Sequence, residues 1–276
     1  MEIVDYEIKY KSKSEHVHLI GLGDIHLGHA GCDKEKLQKT IEYIRLNDHC
    51  YWVGMGDYCE CINVTDPRFD PKGIDPEFQI ADLDNLVTEQ YTKIKEMLLP
   101  IKDSCIGVLA GNHEEKIRLK YYRDIGLDLA RTLKVRYLGY DGFIRLFLWR
   151  RSLGMVKRVA TAYLIYAHHG WGASRTSGAK VNRLEDFCAG FDADIIMVGH
   201  EHKKVIAPPA TKLTVAMKGG ARLTERRQVA VMTGGFLKGY QESSESYIER
   251  KGYRPADLGV VKLTLHCEQK GVHASL

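Results

Sequence analysis

Up to His202 the chain alternates short apolar runs with stretches whose apolar positions recur at helical spacing, a pattern that predicts buried strands joined by helices. Val17 to Leu22, Tyr51 to Met55, Ile106 to Ala110, Tyr163 to Ala167 and Ile195 to Val198 read as buried strands, and each ends in a polar cluster. Leu37, Ile41 and Ile44 mark a helix capped by Asp33, a longer helix from about Phe78 is stopped by Pro100, and Val181, Leu184 and Cys188 mark another. At the start, Val4, Tyr6 and Ile8 alternate with charges at strand spacing. After His202 the texture changes. Lys212 to Met217, Gln228 to Met232 and Val260 to Leu265, separated by glycine-rich or charged turns, read as a second, antiparallel set of strands. Arg68 to Pro76 reads as a loop and Arg222 to Arg227 as a solvated turn. Without a repeat, a low-complexity tract or a linker, the pattern predicts one domain over residues 1–276.

The polar clusters carry the chemistry. They are Gly23-Asp24-Ile25-His26, Gly56-Asp57, Gly111-Asn112-His113-Glu114, His168-His169-Gly170 and Gly199-His200-Glu201-His202. Each alone is an ordinary turn or cap. Together they place six of the twelve histidines at the carboxyl ends of strands, where open α/β sheets build their sites. Carboxylate, amide oxygen and imidazole without thiolate suit Mn, Fe or Zn. One centre can take Asp24, His26 and His202, and the other Asn112, His168 and His200. Asp57 can bridge them, because dications roughly 3.5–4 Å apart need an anion between them. Such a pair generates hydroxide at neutral pH and clamps phosphoryl oxygens, which predicts hydrolysis of phosphate esters. His113, needed by neither centre, is the candidate acid for the leaving alkoxide.

Composition narrows the setting. A formal charge of +4 on 276 residues gives no strong field for nucleic acid, although a local basic patch is compatible with it. The first thirteen residues lack the apolar stretch of a secretory signal, and no run is long enough to span a membrane. Seven scattered cysteines, an odd number, imply reduced thiols in a cytoplasmic setting, with the Cys59 and Cys61 pair read as ordinary buried thiols.

In order and separation, the clusters from Gly23 to His202 resemble the calcineurin-like metallophosphoesterase superfamily, which writes Asp-x-His, Gly-Asp, Gly-Asn-His-Asp/Glu, a His before Gly, and Gly-His-x-His. The resemblance implies an α/β fold, a four-layer α/β/β/α sandwich of the metallo-dependent phosphatase type. It also implies metal ligation by Asp24, His26, Asp57, Asn112, His168, His200 and His202, with His113 as the catalytic histidine. Two departures stand out. Glu60 occupies a place where the family often has Asp, an exchange expected to matter little. His168 and His169 are adjacent and point oppositely in a strand, so one ligand is expected, His168, leaving His169 and Arg175 for substrate.

Substrate recognition falls to two stretches. Trp171 to Lys180 offers hydroxyls, backbone amides and Arg175 to phosphate oxygens, while Lys238 to Arg254 interleaves tyrosines with cations as in nucleotide recognition. The expected activity is hydrolysis of a phosphodiester of a nucleotide or nucleic acid. The alternatives are a phosphomonoesterase acting on nucleotides or phosphoproteins, and a metal-binding scaffold without catalysis.

Overall fold

The central strands are buried on both faces, and their two faces enter different apolar cores. The computed structural model describes residues 1–150, 159–172, 175–216, 222–240, 247–250 and 252–276. In chain order the elements are β1 (Glu2–Tyr10), β2 (His16–Leu22), α1 (Lys34–Leu46), β3 (Cys50–Gly54), α2 (Leu86–Leu98), β4 (Cys105–Leu109), α3 (Asn112–Tyr121), α4 (Ile125–Leu133) and β5 (Arg136–Gly139). There follow β6 (Asp141–Arg150), β7 (Val159–His168), α5 (Ser177–Gly190), β8 (Ile195–Val198), β9 (Lys204–Ile206), β10 (Ala210–Val215), β11 (Leu223–Gly235), β12 (Gly259–Val260), β13 (Lys262–His266) and β14 (Val272–Ser275).

Among the described residues the strands form two sheets. One has the order β14-β13-β2-β3-β4-β5, and the other β1-β6-β7-β8-β11-β10 with β9 and β12 also paired to β11. Leu19, Val53 and Leu263 of the first sheet meet Leu146, Ile165, Met197 and Val231 of the second in a shared core. The opposite face of the first sheet, with Ile20, Leu22, Trp52 and Val108, is covered by Leu37 and Ile41 of α1, Ile94 of α2 and Leu129 of α4. Tyr166, Ile196 and Ala230 on the far face of the second sheet pack on Leu184 and Phe187 of α5. The fold is therefore a four-layer α/β/β/α sandwich.

The layering relocates the clusters. Strands β2, β3 and β4 run parallel in one sheet, while β7 and β8 run parallel in the other. The five loops converge where the carboxyl edges of two sheets meet, not along a single sheet. The tail is antiparallel where β11 meets β9, β10 and β12 and where β13 meets β2 and β14, but β11 joins β8 in parallel. Asp33 caps α1 by accepting from Lys36 N–H. The helix expected from Phe78 begins at Leu86, after a 3-10 segment over Ile80–Asn85. Met217 lies outside the described residues, as do Lys251 and the side chain of Tyr247. No described helix is long and apolar enough to cross a membrane.

Candidate metal centre

The first two clusters are zipped together by backbone. Asp24 N–H donates to Gly56 O at 2.9 Å, Ile25 N–H to Asp57 O at 2.8 Å and Leu27 N–H to Tyr58 O at 3.0 Å. The third closes over them because Gly111 has no side chain, since a Cβ there would lie 2.0 Å from Asp57 Oδ1. Helix α3 starts at Asn112, and its His113 N–H donates to Asp57 Oδ1 at 2.9 Å, so the helix N-terminus holds the carboxylate. Asp24, His26, Asp57, His200 and His202 all sit at left-handed φ, between 48° and 72°, where a residue with a Cβ costs about 1–3 kcal/mol. Strain of that kind is held by its surroundings and marks a site whose geometry matters.

Two donor groups result. Asp24, His26 and His202 converge in one, and Asp57, His169 and His200 in the other. Asp57 Oδ2 lies between them, 3.8 Å from His26 Nε2 and 3.4 Å from His169 Nε2. Asn112 Oδ1 is 3.2 Å from His169 Nε2 and joins the second group. The structure places His169, and not the expected His168, in the second donor group. Tyr163, Ile165 and Ala167 of β7 face the inter-sheet core, so Tyr166 and His168 face α5, where the His168 ring lies 5.2 Å from that of Phe187. His169, fully buried past the strand end, turns toward Asp57.

Each inward nitrogen is set by what its partner nitrogen does. His26 Nδ1 bonds Glu60 Oε2 at 2.8 Å, His169 Nδ1 bonds Met55 O at 2.7 Å, and His200 Nε2 bonds Gly172 O at 2.7 Å. In each case the bond turns the ring's other nitrogen toward the donor group, where loss of its proton would free a lone pair. Asp24 Oδ1, His26 Nε2, His200 Nδ1 and His202 Nδ1 are buried and have no hydrogen-bond partner. Orphaned polar atoms are costly inside a protein. Four of them on convergent candidate ligands fit a cation as the missing partner, so the donor set suits the expected metals.

Two glutamates acquire roles that the sequence reading did not give them. Glu60 accepts from His26 through its carboxylate and from His113 Nδ1 through its carbonyl, so the position expected to matter little orients both rings. Those bonds also account for the clustering of His26, Glu60 and His113 without a cation. Glu114, 1% exposed, accepts from Asp57 N–H and Gly111 N–H at 2.9 Å, from Tyr58 N–H at 2.7 Å and from Cys59 N–H at 3.2 Å. It clamps the turn that aims Asp57. The available signal was its place in the first turn of a helix, where a carboxylate reaches back to free amides.

Electrostatics follow from burial and crowding. Burial pushes the Asp24 carboxyl up to about 7. Burial acts the same way on Asp57, but His169, His113 and His26 outweigh it and hold that carboxyl well below its usual range. Burial would lower His26 and His169, yet Glu60 raises the first to about 9 and Asp57 raises the second to about 9. Burial depresses His200 to about 4 and His202 well below its usual value. Without metal, His26 and His169 thus keep protons below about pH 9, and a cation must displace them. Apparent Mn²⁺ affinity is expected to rise with pH up to about 9 and then level off, with proton release visible as buffer-dependent binding heat. A flat profile would contradict the assignment of these two rings.

The expected substrate residue Arg175 is exposed, with its guanidinium 5.6 Å from the ring centroid of Tyr253. Residues 173–174, part of the expected phosphate-binding stretch, lie outside the described residues.

Residues 17–204 match the calcineurin-like phosphoesterase family. The chain belongs to that family, whose members are metal-dependent phosphoesterases for the most part. No curated protein matches. Among solved structures, a single-mutant Vps29 from Entamoeba histolytica is similar at 14% identity, covering 95% of this chain and 98% of its own, with a TM-score of 0.26.

Proposed function

We propose that the protein hydrolyses phosphate esters with two divalent transition-metal ions, and that its substrate is a phosphodiester of a nucleotide or nucleic acid. The observation that carries the metal reading is the set of four orphaned buried atoms on Asp24, His26, His200 and His202. When bound, such a pair supplies a strong nucleophile from water at neutral pH and neutralises phosphoryl charge. Mn, Fe or Zn fits the oxygen and imidazole donors. Asp24, His26 and His202 would hold one ion and Asn112, His169 and His200 the other, with the Asp57 carboxylate available to both. His113 is anchored through Nδ1 to Glu60 O, which leaves Nε2 as the remaining ring atom to protonate the leaving oxygen. Asn112, His200 and His202 are half-buried, so the centre opens on their side.

A base-bearing substrate is favoured by Trp171, which is 51% exposed two residues beyond His169. Its ring is fixed by edge contacts 5.2 Å from His168 and 5.2 Å from Phe187. Rigid exposed aromatics are stacking platforms. Arg175 beside Tyr253 supports a phosphate further along the chain. All seven cysteines are free and buried, which fits a reducing cytoplasmic compartment. One apolar core joins Val4 to Cys267, which supports a single domain.

The test is turnover of bis(p-nitrophenyl) phosphate against p-nitrophenyl phosphate with Mn²⁺. Faster diester turnover is expected, and a strong monoester preference would overturn the diester reading. Trp171→Ala is expected to raise KM about tenfold for the p-nitrophenyl ester of thymidine monophosphate, the scale of one lost base stack, and to leave methyl p-nitrophenyl phosphate unaffected. Equal changes for both esters would remove the stacking role.

A further inference from the structure

Glu201 separates the two histidines of the last cluster, and its side chain is only 4% exposed. Both carboxylate oxygens are engaged from α5. Lys180 Nζ donates to Oε2 and Arg183 Nη1 to Oε1. Arg183 Nη1 also donates to Trp171 O at 2.6 Å, and the next carbonyl, Gly172 O, accepts from His200 Nε2 at 2.7 Å. Charge on one helix therefore ties together the loop that carries His200 and His202 and the loop that follows His169.

A buried ion pair is a poor way to stabilise a fold, because desolvation of the charges rivals their attraction, and apolar replacements are often as stable or more so. Helix α5 has another anchor in Leu184, Phe187 and Cys188, which pack in the apolar core against the second sheet. The loop has a specific need. His200 and His202 flank Glu201 at φ 72° and 52°, a conformation that residues with side chains leave when nothing holds them. His200 N–H donates to Asp24 Oδ2 at 2.8 Å, but that bond fixes one end only. The carboxylate of Glu201, gripped by two cations, fixes the middle.

We propose that Lys180, Glu201 and Arg183 form a positioning strut that preorganises His200 and His202 to ligate divalent transition-metal cations. The inference rests on the metal reading of the site. With both oxygens bound to Lys180 and Arg183, Glu201 acts through its neighbours and is not itself a ligand.

Two variants test it. Glu201→Gln strands the Lys180 charge and can fail to fold for that reason alone. The paired change Lys180→Met with Glu201→Met removes the buried lysine and its carboxylate partner, keeps apolar bulk and leaves Arg183 its bond to Trp171 O. Each is measured for metal-free thermal midpoint, for Mn²⁺ affinity by calorimetry and for the visible spectrum of the Co²⁺ form. The paired variant is expected to melt no lower than a few degrees below the parent, to bind Mn²⁺ about 10–100-fold more weakly and to show an altered Co²⁺ spectrum, the scale seen when groups that orient ligands are lost. A folded paired variant that binds Mn²⁺ as tightly as the parent, with the same spectrum, would overturn the strut while leaving the metal centre intact. Absence of binding by the parent would overturn the metal reading and the strut with it.

Discussion

Asp57→Asn is expected to retain the fold, lose tight binding of one of the two metal equivalents and reduce diester turnover by a factor on the order of 10³, the rate equivalent of several kcal/mol of charge stabilisation. The reason is geometric. Asp57 Oδ2 stands 3.8 Å from His26 Nε2 and 3.4 Å from His169 Nε2, while Oδ1 is occupied by the His113 N–H. The amide can keep the bond to His113, but it is neutral and cannot act as the anion between two dications. Elemental analysis and turnover numbers check this on one preparation. Two retained equivalents with parental turnover would show that the bridge lies elsewhere.

The second large effect belongs to His113. His113→Ala is expected to keep both metals and to lose about 10²-fold or more in turnover of a dinucleotide, the scale of a positioned proton donor. A nucleoside alkoxide leaves poorly without a proton, whereas p-nitrophenolate leaves well on its own, so the loss should shrink sharply with the p-nitrophenyl diester. Equal losses with both leaving groups would assign the His113 ring a structural role through Glu60, whose carbonyl its Nδ1 contacts.

The strands that end in the clusters are legible because each is buried on both faces and writes its apolar residues as a continuous run. That continuity also conceals side-chain parity. In Tyr163 to His169 nothing distinguishes the face toward the other sheet from the face toward α5, so the sequence could not choose between His168 and His169. β6 escaped notice for a related reason. Phe143 and Phe147 alternate with Ile144, Leu146 and Leu148, so apolar side chains stand on both faces, and the polar residues that follow include no Asp or His to draw notice. Helix α3 is hidden by its own chemistry. Its buried residues are His113, Glu114 and Ile117, a functional face in place of an apolar stripe.

The division of the ladder between two sheets was likewise invisible to periodicity, because parallel strands with intervening helices read the same in one sheet or in two. The resemblance supplied the four layers, and the three apolar cores display them. Glu114 and Glu201 stand inside recognisable clusters, yet their roles depend on distant partners. Glu114 meets the amides of 57–59, and Glu201 meets Lys180 and Arg183. Contacts of that kind are fixed by packing and leave no local signature.

The most direct test is titration of metal-free protein with Mn²⁺ followed by electron paramagnetic resonance. Two ions roughly 3.5–4 Å apart couple magnetically, so the expected result is binding of two equivalents with a spin-coupled spectrum, lost in Asp57→Asn. Saturation at one equivalent or fewer, or two equivalents with uncoupled spectra, would contradict a dinuclear centre at these residues.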